Sequence, residues 1–227
     1  MEKGKVKRWK TLSKPFEEKI SICRICFKEF TSSSLRTISV QKPIICDRCF
    51  QTMNPVFVKF EINKKIDGLA IYKYDDFLKE KLFLLKGCYD IEIAPIFLVT
   101  FARYLKMKYH GYVIVPVPSY TKHDEIRGFN HVIEIFRCME IEYRDILLKT
   151  SPLKQSDQPI NKRSLINDIL KINDGECLKN KKVLIVDDVY TTGMTIKKCI
   201  DLIEKFNPKS IKVLVLSKVE HKEETSL

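Results

Sequence analysis

Val183-Leu184-Ile185-Val186-Asp187-Asp188-Val189-Tyr190-Thr191-Thr192-Gly193-Met194-Thr195 decides the fold of this chain. The four apolar residues that open it predict a strand over 183–187, buried on both faces. Two carboxylates, Asp187 and Asp188, stand at its carboxyl end, the end that faces the ligand crevice in open α/β sheets. Three threonines around a glycine follow. The pattern then turns helical, with Ile196, Ile200 and Ile203 at helical spacing over 194–206.

A turn that opens a helix presents unpaired backbone N–H groups, which hold a phosphate dianion with help from the helix dipole. The hydroxyls of Thr191, Thr192 and Thr195 add donors, and Gly193, followed by Met194, lets the main chain approach closely. The neighbouring carboxylates can accept hydrogen bonds from sugar hydroxyls or reach Mg²⁺, a hard cation that prefers oxygen ligands. Each residue alone would read as an ordinary buried strand, N-cap or turn. Together they predict a pocket for a phosphorylated sugar.

This stretch resembles the phosphoribosyl pyrophosphate (PRPP) motif of type I phosphoribosyltransferases. The resemblance implies that Asp187 and Asp188 bind the ribose hydroxyls, directly or through Mg²⁺, and that Thr191 to Thr195 wrap the 5′-phosphate. Purine-salvage members often carry an aspartate as catalytic base at the first position of the phosphate loop. Here that position is Thr191, which takes up no proton near neutral pH, so no catalytic residue is assigned.

Cys23-Arg-Ile-Cys26 and Cys46-Asp-Arg-Cys49 form two CxxC knuckles separated by nineteen residues. Two knuckles complete a tetrahedral four-sulfur shell, the closed geometry of structural zinc. A redox CxxC would need only one pair in a βαβ context, and incidental cysteines remain the other alternative. A segment this small lacks an adequate core, so the metal should hold it folded. Chelation should then loosen this module and leave the rest folded.

The 227 residues, 44% hydrophobic and 31% charged, fit a globular chain. Cys88, Cys138, Cys177 and Cys199 are scattered through apolar patterns and read as buried thiols. With the zinc thiolates they suit a reducing cytoplasm. No apolar run is long enough for a secretory leader or a membrane span. Residues 1–60 hold thirteen Lys/Arg against five Asp/Glu, much of the formal charge of +12. A basic zinc module with Trp9, Phe16, Phe27, Phe30 and Phe50 can offer phosphate contacts and stacking faces to single-stranded nucleic acid. Phe27 and Phe30 can equally fill the small core around the metal.

The expected organisation is a basic lead (1–19), a four-cysteine zinc-ribbon-like module (20–58), an α/β domain with a doubly wound parallel sheet (59–220) and a tail (221–227). Strands are expected within 60–75 and over 112–115 and 211–217. Helices are expected from an Asp76 cap to Lys86, over 91–108, over 128–138, and before residue 180.

Val115-Pro-Val-Pro-Ser119, Arg127-Gly-Phe-Asn130 and the basic segment Lys149–Arg163 stand in the order found in the ComF family of phosphoribosyltransferases. With the knuckles and the PRPP motif, the resemblance spans nearly residues 20–218. It implies a type I phosphoribosyltransferase fold and PRPP binding. It also implies a part in single-stranded DNA uptake during natural transformation, with a competence helicase as partner. Ser119 would meet pyrophosphate, with Lys122, Arg127 and Arg163 as candidate partners for its charge. Residues 149–163 would form a hood over the ligand. This branch more often has Gln where His131 stands. The other reading is a metabolic phosphoribosyltransferase that acts on a free nucleobase and has no DNA role.

Overall fold

The computed structural model describes residues 20–31, 43–149 and 170–219. Its strand β8, Lys182–Tyr190, pairs in parallel with β5, Tyr112–Pro116, on one side and with β9, Ser210–Lys218, on the other. Beyond β9 lie β4, Ile66–Lys73, also parallel, and then β3, Pro55–Asn63. The order is β3-β4-β9-β8-β5. The expected parallel sheet is therefore mixed: β3 runs antiparallel to β4 because a short hairpin joins them, and a two-residue connection can only reverse the chain. Residues 60–75, expected to hold the strands, contain all of β4 but only the end of β3.

Strand alternation sorts the sheet into two apolar layers. Leu184, Val186, Leu214, Leu216 and Ile114 pack into one cluster, whereas Val183, Ile185, Val213, Val215 and Val115 pack into the other. Period-two side-chain direction requires this split, and a strand buried on both faces reads as a continuous apolar run. Helix α6, Met194–Glu204, covers the second face with Ile196, Cys199, Ile200 and Ile203. The first face carries α2 (Asp76–Lys86), α3 (Ala102–Lys108) and α5 (His131–Phe136).

Several expected elements differ in detail. Asp75, not Asp76, caps α2, accepting from the Leu78 N–H at 2.9 Å. The single helix expected over 91–108 is broken into 3₁₀ segments, Ile91–Phe97 and Val99–Phe101, before α3. Pro95 lacks an N–H and crowds the preceding turn, so a continuous α-helix cannot form there. The helix expected over 128–138 is shorter, α5 followed by a 3₁₀ turn. A helix with no forecast, α4 (Thr121–Arg127), precedes it. The stretch expected to hold a helix before residue 180 lies largely outside the described residues, which show β6 (Leu147–Lys149), β7 (Leu170–Ile172) and a 3₁₀ turn, Gly175–Leu178.

The cysteine segment is a hairpin of β1 (Ile20–Ile22) and β2 (Glu29–Thr31) with α1 (Asp47–Met53). β3 begins two residues after α1 and crosses the expected boundary at residue 58. Cys23, Ile45, Cys49 and Met53 belong to the same apolar cluster as Leu82 and Phe97 of the sheet's first layer. Phe50 of α1 lies 5.8 Å from the Phe101 ring, and Arg24 pairs with Glu92 at 2.9 Å. No helix among the described residues is long and apolar enough to cross a membrane.

Candidate functional site

The 191–195 turn lies where expected, between β8 and α6. Gly193 caps α6 from the left-handed region, φ 71°. A Cβ there would also run into the Tyr190 hydroxyl, so any side chain at this position meets backbone strain and a clash together. Thr191 and Thr192 are exposed. Asp187, Val189, Tyr190 and the turn from Thr191 to Ile196 line one shallow cavity of about 30 Å³. The amides that open α6 are thus brought beside one of the two carboxylates.

The pair divides between the two faces of β8. Asp187 shares the parity of Val183 and Ile185 and opens on the turn. Asp188 shares the parity of Leu184 and Val186, is buried, and points into the layer of α2 and α5. Its Oδ2 forms an ion pair with Lys86 Nζ, and His131 Nε2 lies 3.6 Å away. No hydrogen bond of regular geometry reaches this oxygen among the described residues. Asp188 Oδ1 accepts from Val189 N–H at 2.7 Å, and Asp187 Oδ1 accepts from Asp188 N–H at 2.9 Å. Each carboxylate is therefore fastened to the backbone of the residue that follows it, while the two face opposite ways.

Burial pushes the Asp187 carboxyl up to about 7, against the opposing pull of Lys86 and then Lys149. Burial brings Lys86 down to about 8, with Asp187 resisting and Arg127 assisting. His131 is held well below its ordinary value by burial, then by Lys86 and Arg127. His131 and Asp188 are buried and Asp187 and Lys86 half-buried beside them, and concentrated perturbation of this kind marks a functional region.

Arg127, expected to face a pyrophosphate, is turned inward. Its Nη1 donates to Asp124 Oδ1 at 3.0 Å and lies 3.0 Å from His131 Nδ1, and its Nε donates to the Lys86 carbonyl at 3.3 Å. Ser119 donates to Asp124, as does Asn130 Nδ2 at 3.2 Å. Ser119 follows β5, next to β8, and Val117 N–H donates to the Val186 carbonyl at 2.8 Å, which holds this turn against the strand that carries the acids. Lys122 is exposed on α4. Arg163, and the expected hood apart from Lys149, lie outside the described residues. Lys86 was missed in sequence. It reads as an ordinary basic residue in the last turn of a helix, and only the fold carries it to the acids.

The four knuckle sulfurs, from Cys23, Cys26, Cys46 and Cys49, lie within 4.8 Å of one another, with Cys26 and Cys46 Sγ 3.9 Å apart. Zn–S bonds of about 2.3 Å in a tetrahedron require sulfurs roughly 3.8 Å apart, so the set fits structural zinc. Burial opposes ionisation of Cys23, yet backbone hydrogen bonds from Cys46, Cys26 and Ile25 outweigh it and bring the thiol down to about 7. Cys46 N–H donates to this sulfur at 3.3 Å.

A model of the phosphoribosyl transferase domain matches residues 130–226. The competence protein ComFC of Streptococcus pneumoniae (strain ATCC BAA-255 / R6) is 27% identical over 206 residues, covering 82% of this chain and 93% of that protein. ComFC of Bacillus subtilis (strain 168) is 28% identical over 129 residues, 56% of this chain, and the match spans about half of that protein, 53%. Among solved structures, a hypoxanthine-guanine phosphoribosyltransferase from Bacillus anthracis aligns with a TM-score of 0.39 at 17% identity, covering 61% of this chain and 76% of that one.

Proposed function

We propose that this ComFC-like protein, which carries a phosphoribosyltransferase domain, binds PRPP between the 191–195 turn and the acidic pair. The observation that carries this reading is the shared cavity. The Asp187 carboxylate and the amide-bearing turn around Gly193 face the same space, so a phosphate and a sugar hydroxyl can be gripped from one ligand. The donor set also fits Mg²⁺ through Asp187, whose carboxylate opens on the cradle. Asp188 is already compensated by Lys86. When bound, the metal would neutralise pyrophosphate charge; Ser119 and the main chain after β5 are the groups of this chain nearest to a pyrophosphate in that reading.

Asp187→Asn tests the grip. In the folded protein the Asp187 carboxyl titrates near 7, above its unfolded value near 4. The folded state therefore holds the extra proton between these values. Stability contributed by this group is full below about pH 4 and falls as pH rises through about 7. The ligand-free Asn variant should melt higher than the parent at pH 8 and close to it at pH 4, while calorimetric PRPP binding with Mg²⁺ disappears. Unchanged PRPP affinity in the variant would remove the proposed pocket. In the same titrations, pyrophosphate release across a panel of nucleobases separates turnover from binding. Release with a free base would favour the metabolic reading.

The relatives' names speak of competence; single-stranded DNA handling, a competence helicase as partner and a cytoplasmic setting are our reading of the family resemblance. One feature of this chain supports it: Phe27, at the tip of the knuckle, is 78% exposed beside the exposed Lys28, with Arg48 exposed on α1. An open ring next to a cation in sequence suits stacking of an unpaired base. Replacing Lys28 and Arg48 by Ala should reduce the salt slope of single-strand binding by about 1.4, or 0.7 per lost phosphate contact. A slope that stays put would clear the knuckle of touching phosphates.

A further inference from the structure

We propose that His131 is a positioning residue: a donor–acceptor bridge that ties Arg127 and the 119–130 segment to the acidic pair. The proposal deepens the phosphoribosyl reading of the site and rests on it.

The direction of each link follows from what the groups can do. A guanidinium has donors and no acceptor. Arg127 Nη1 lies 3.0 Å from His131 Nδ1, so Nδ1 accepts and carries no proton. An imidazole bare at Nδ1 carries its proton on Nε2, and that N–H faces Asp188 Oδ2 at 3.6 Å. This oxygen is buried and receives no hydrogen bond of regular geometry among the described residues. His131 thus turns an N–H toward an oxygen whose charge Lys86 pairs but which no regular hydrogen bond reaches, and it offers the guanidinium an acceptor beside Asp124.

The bridge completes a continuous chain. Ser119 donates to Asp124, Asp124 accepts from Arg127, Arg127 donates to His131, and His131 faces Asp188. The backbone N–H of Asp188 in turn donates to Asp187 Oδ1, so the strand segment that carries the buried acid also holds the acid that opens on the cavity. The turn after β5 and the carboxyl end of β8 are thereby held in one arrangement. The Asn130 side chain fixes the start of α5, accepting from Val132 and Ile133 N–H at 3.0 and 3.1 Å, which aims the ring. A histidine that only filled space would need neither polarity.

The test separates polarity from packing. Long-range ¹⁵N correlation spectra of histidine-labelled wild-type protein should show His131 bare at Nδ1 and protonated at Nε2; a proton on Nδ1 overturns the bridge. A glutamine offers the same pair, a carbonyl toward Arg127 and an amide N–H toward Asp188, whereas a leucine packs without either. Calorimetry with PRPP and Mg²⁺ should place His131→Gln within about threefold of wild type and His131→Leu about tenfold weaker, the scale of one lost hydrogen-bonding link. Leucine at wild-type affinity also overturns it. Should wild-type protein bind no PRPP, the parent reading falls, while the tautomer still decides the bridge. The same spectrum decides it if the leucine variant does not fold.

Discussion

Replacing Cys49 with Ser, or stripping zinc with a strong chelator, is expected to lower the melting temperature of the whole chain. The knuckle sulfurs are close enough to share one ion, and structural zinc of this kind contributes on the order of 10 kcal/mol to the fold it closes. From the sequence, loss would be confined to the module. The structure couples it further, because Cys23, Ile45, Cys49 and Met53 lie in the apolar cluster that includes Leu82, Phe97 and Leu98. Releasing α1 would uncover that layer and withdraw Phe50 from Phe101, whose ring also lies 6.3 Å from buried Tyr72. If about 4 kcal/mol reaches the main domain, the midpoint falls by roughly 10 °C, since 1 kcal/mol moves a domain of this size by 2–4 °C. Differential scanning calorimetry with and without chelator measures it. Two separate transitions, the upper one unmoved, would show that the layers are independent.

Gly193→Val should abolish PRPP binding, with a loss of roughly 100-fold or more. A Cβ at φ 71° costs about 1–2 kcal/mol by itself, and every 1.4 kcal/mol is a factor of ten in affinity. The clash adds to this: the new Cβ would run into the Tyr190 hydroxyl. Tyr190 cannot simply swing away, because its ring is buried and packs 4.8 Å from Phe60. The turn must open instead, and the amides lose their convergence. Titration calorimetry of the variant, beside Gly193→Ala combined with Tyr190→Ala, separates the two causes. The double variant relieves the clash and keeps the backbone strain, so it should recover only part of the affinity. Full binding by the valine variant would show that the turn does not carry the phosphate.

Much of this was legible in the sequence because it is local. The buried run at 183–186, the glycine turn and the helical spacing after it sit within one element pair, and the cysteine spacing carries its own geometry. Ends of elements were less legible. β8 continues through both acids to Tyr190 because β9 pairs with it as far as Lys218, and no residue of β8 itself announces that. Hence the acids read as neighbours at a strand end, whereas strand alternation sends them to opposite layers. Lys86 and the inward turn of Arg127 depend on α2 and α5 meeting behind β8, a long-range outcome with no local signature. α4 was hidden because it begins at a Tyr120 cap with no side-chain hydrogen bond.

The early start of β3 bears on how deletion experiments should be designed. Cutting the chain at residue 58 to discard the knuckles would also remove Pro55 to Val58, including the pairing of Pro55 with Tyr72, and leave the inner neighbour's flank partly bare. Such a stump offers an open template for adhesion between molecules, so clumping after that cut would report a severed ribbon rather than a missing DNA contact. Trimming ahead of Pro55 keeps the ribbon whole and lets the two explanations be told apart.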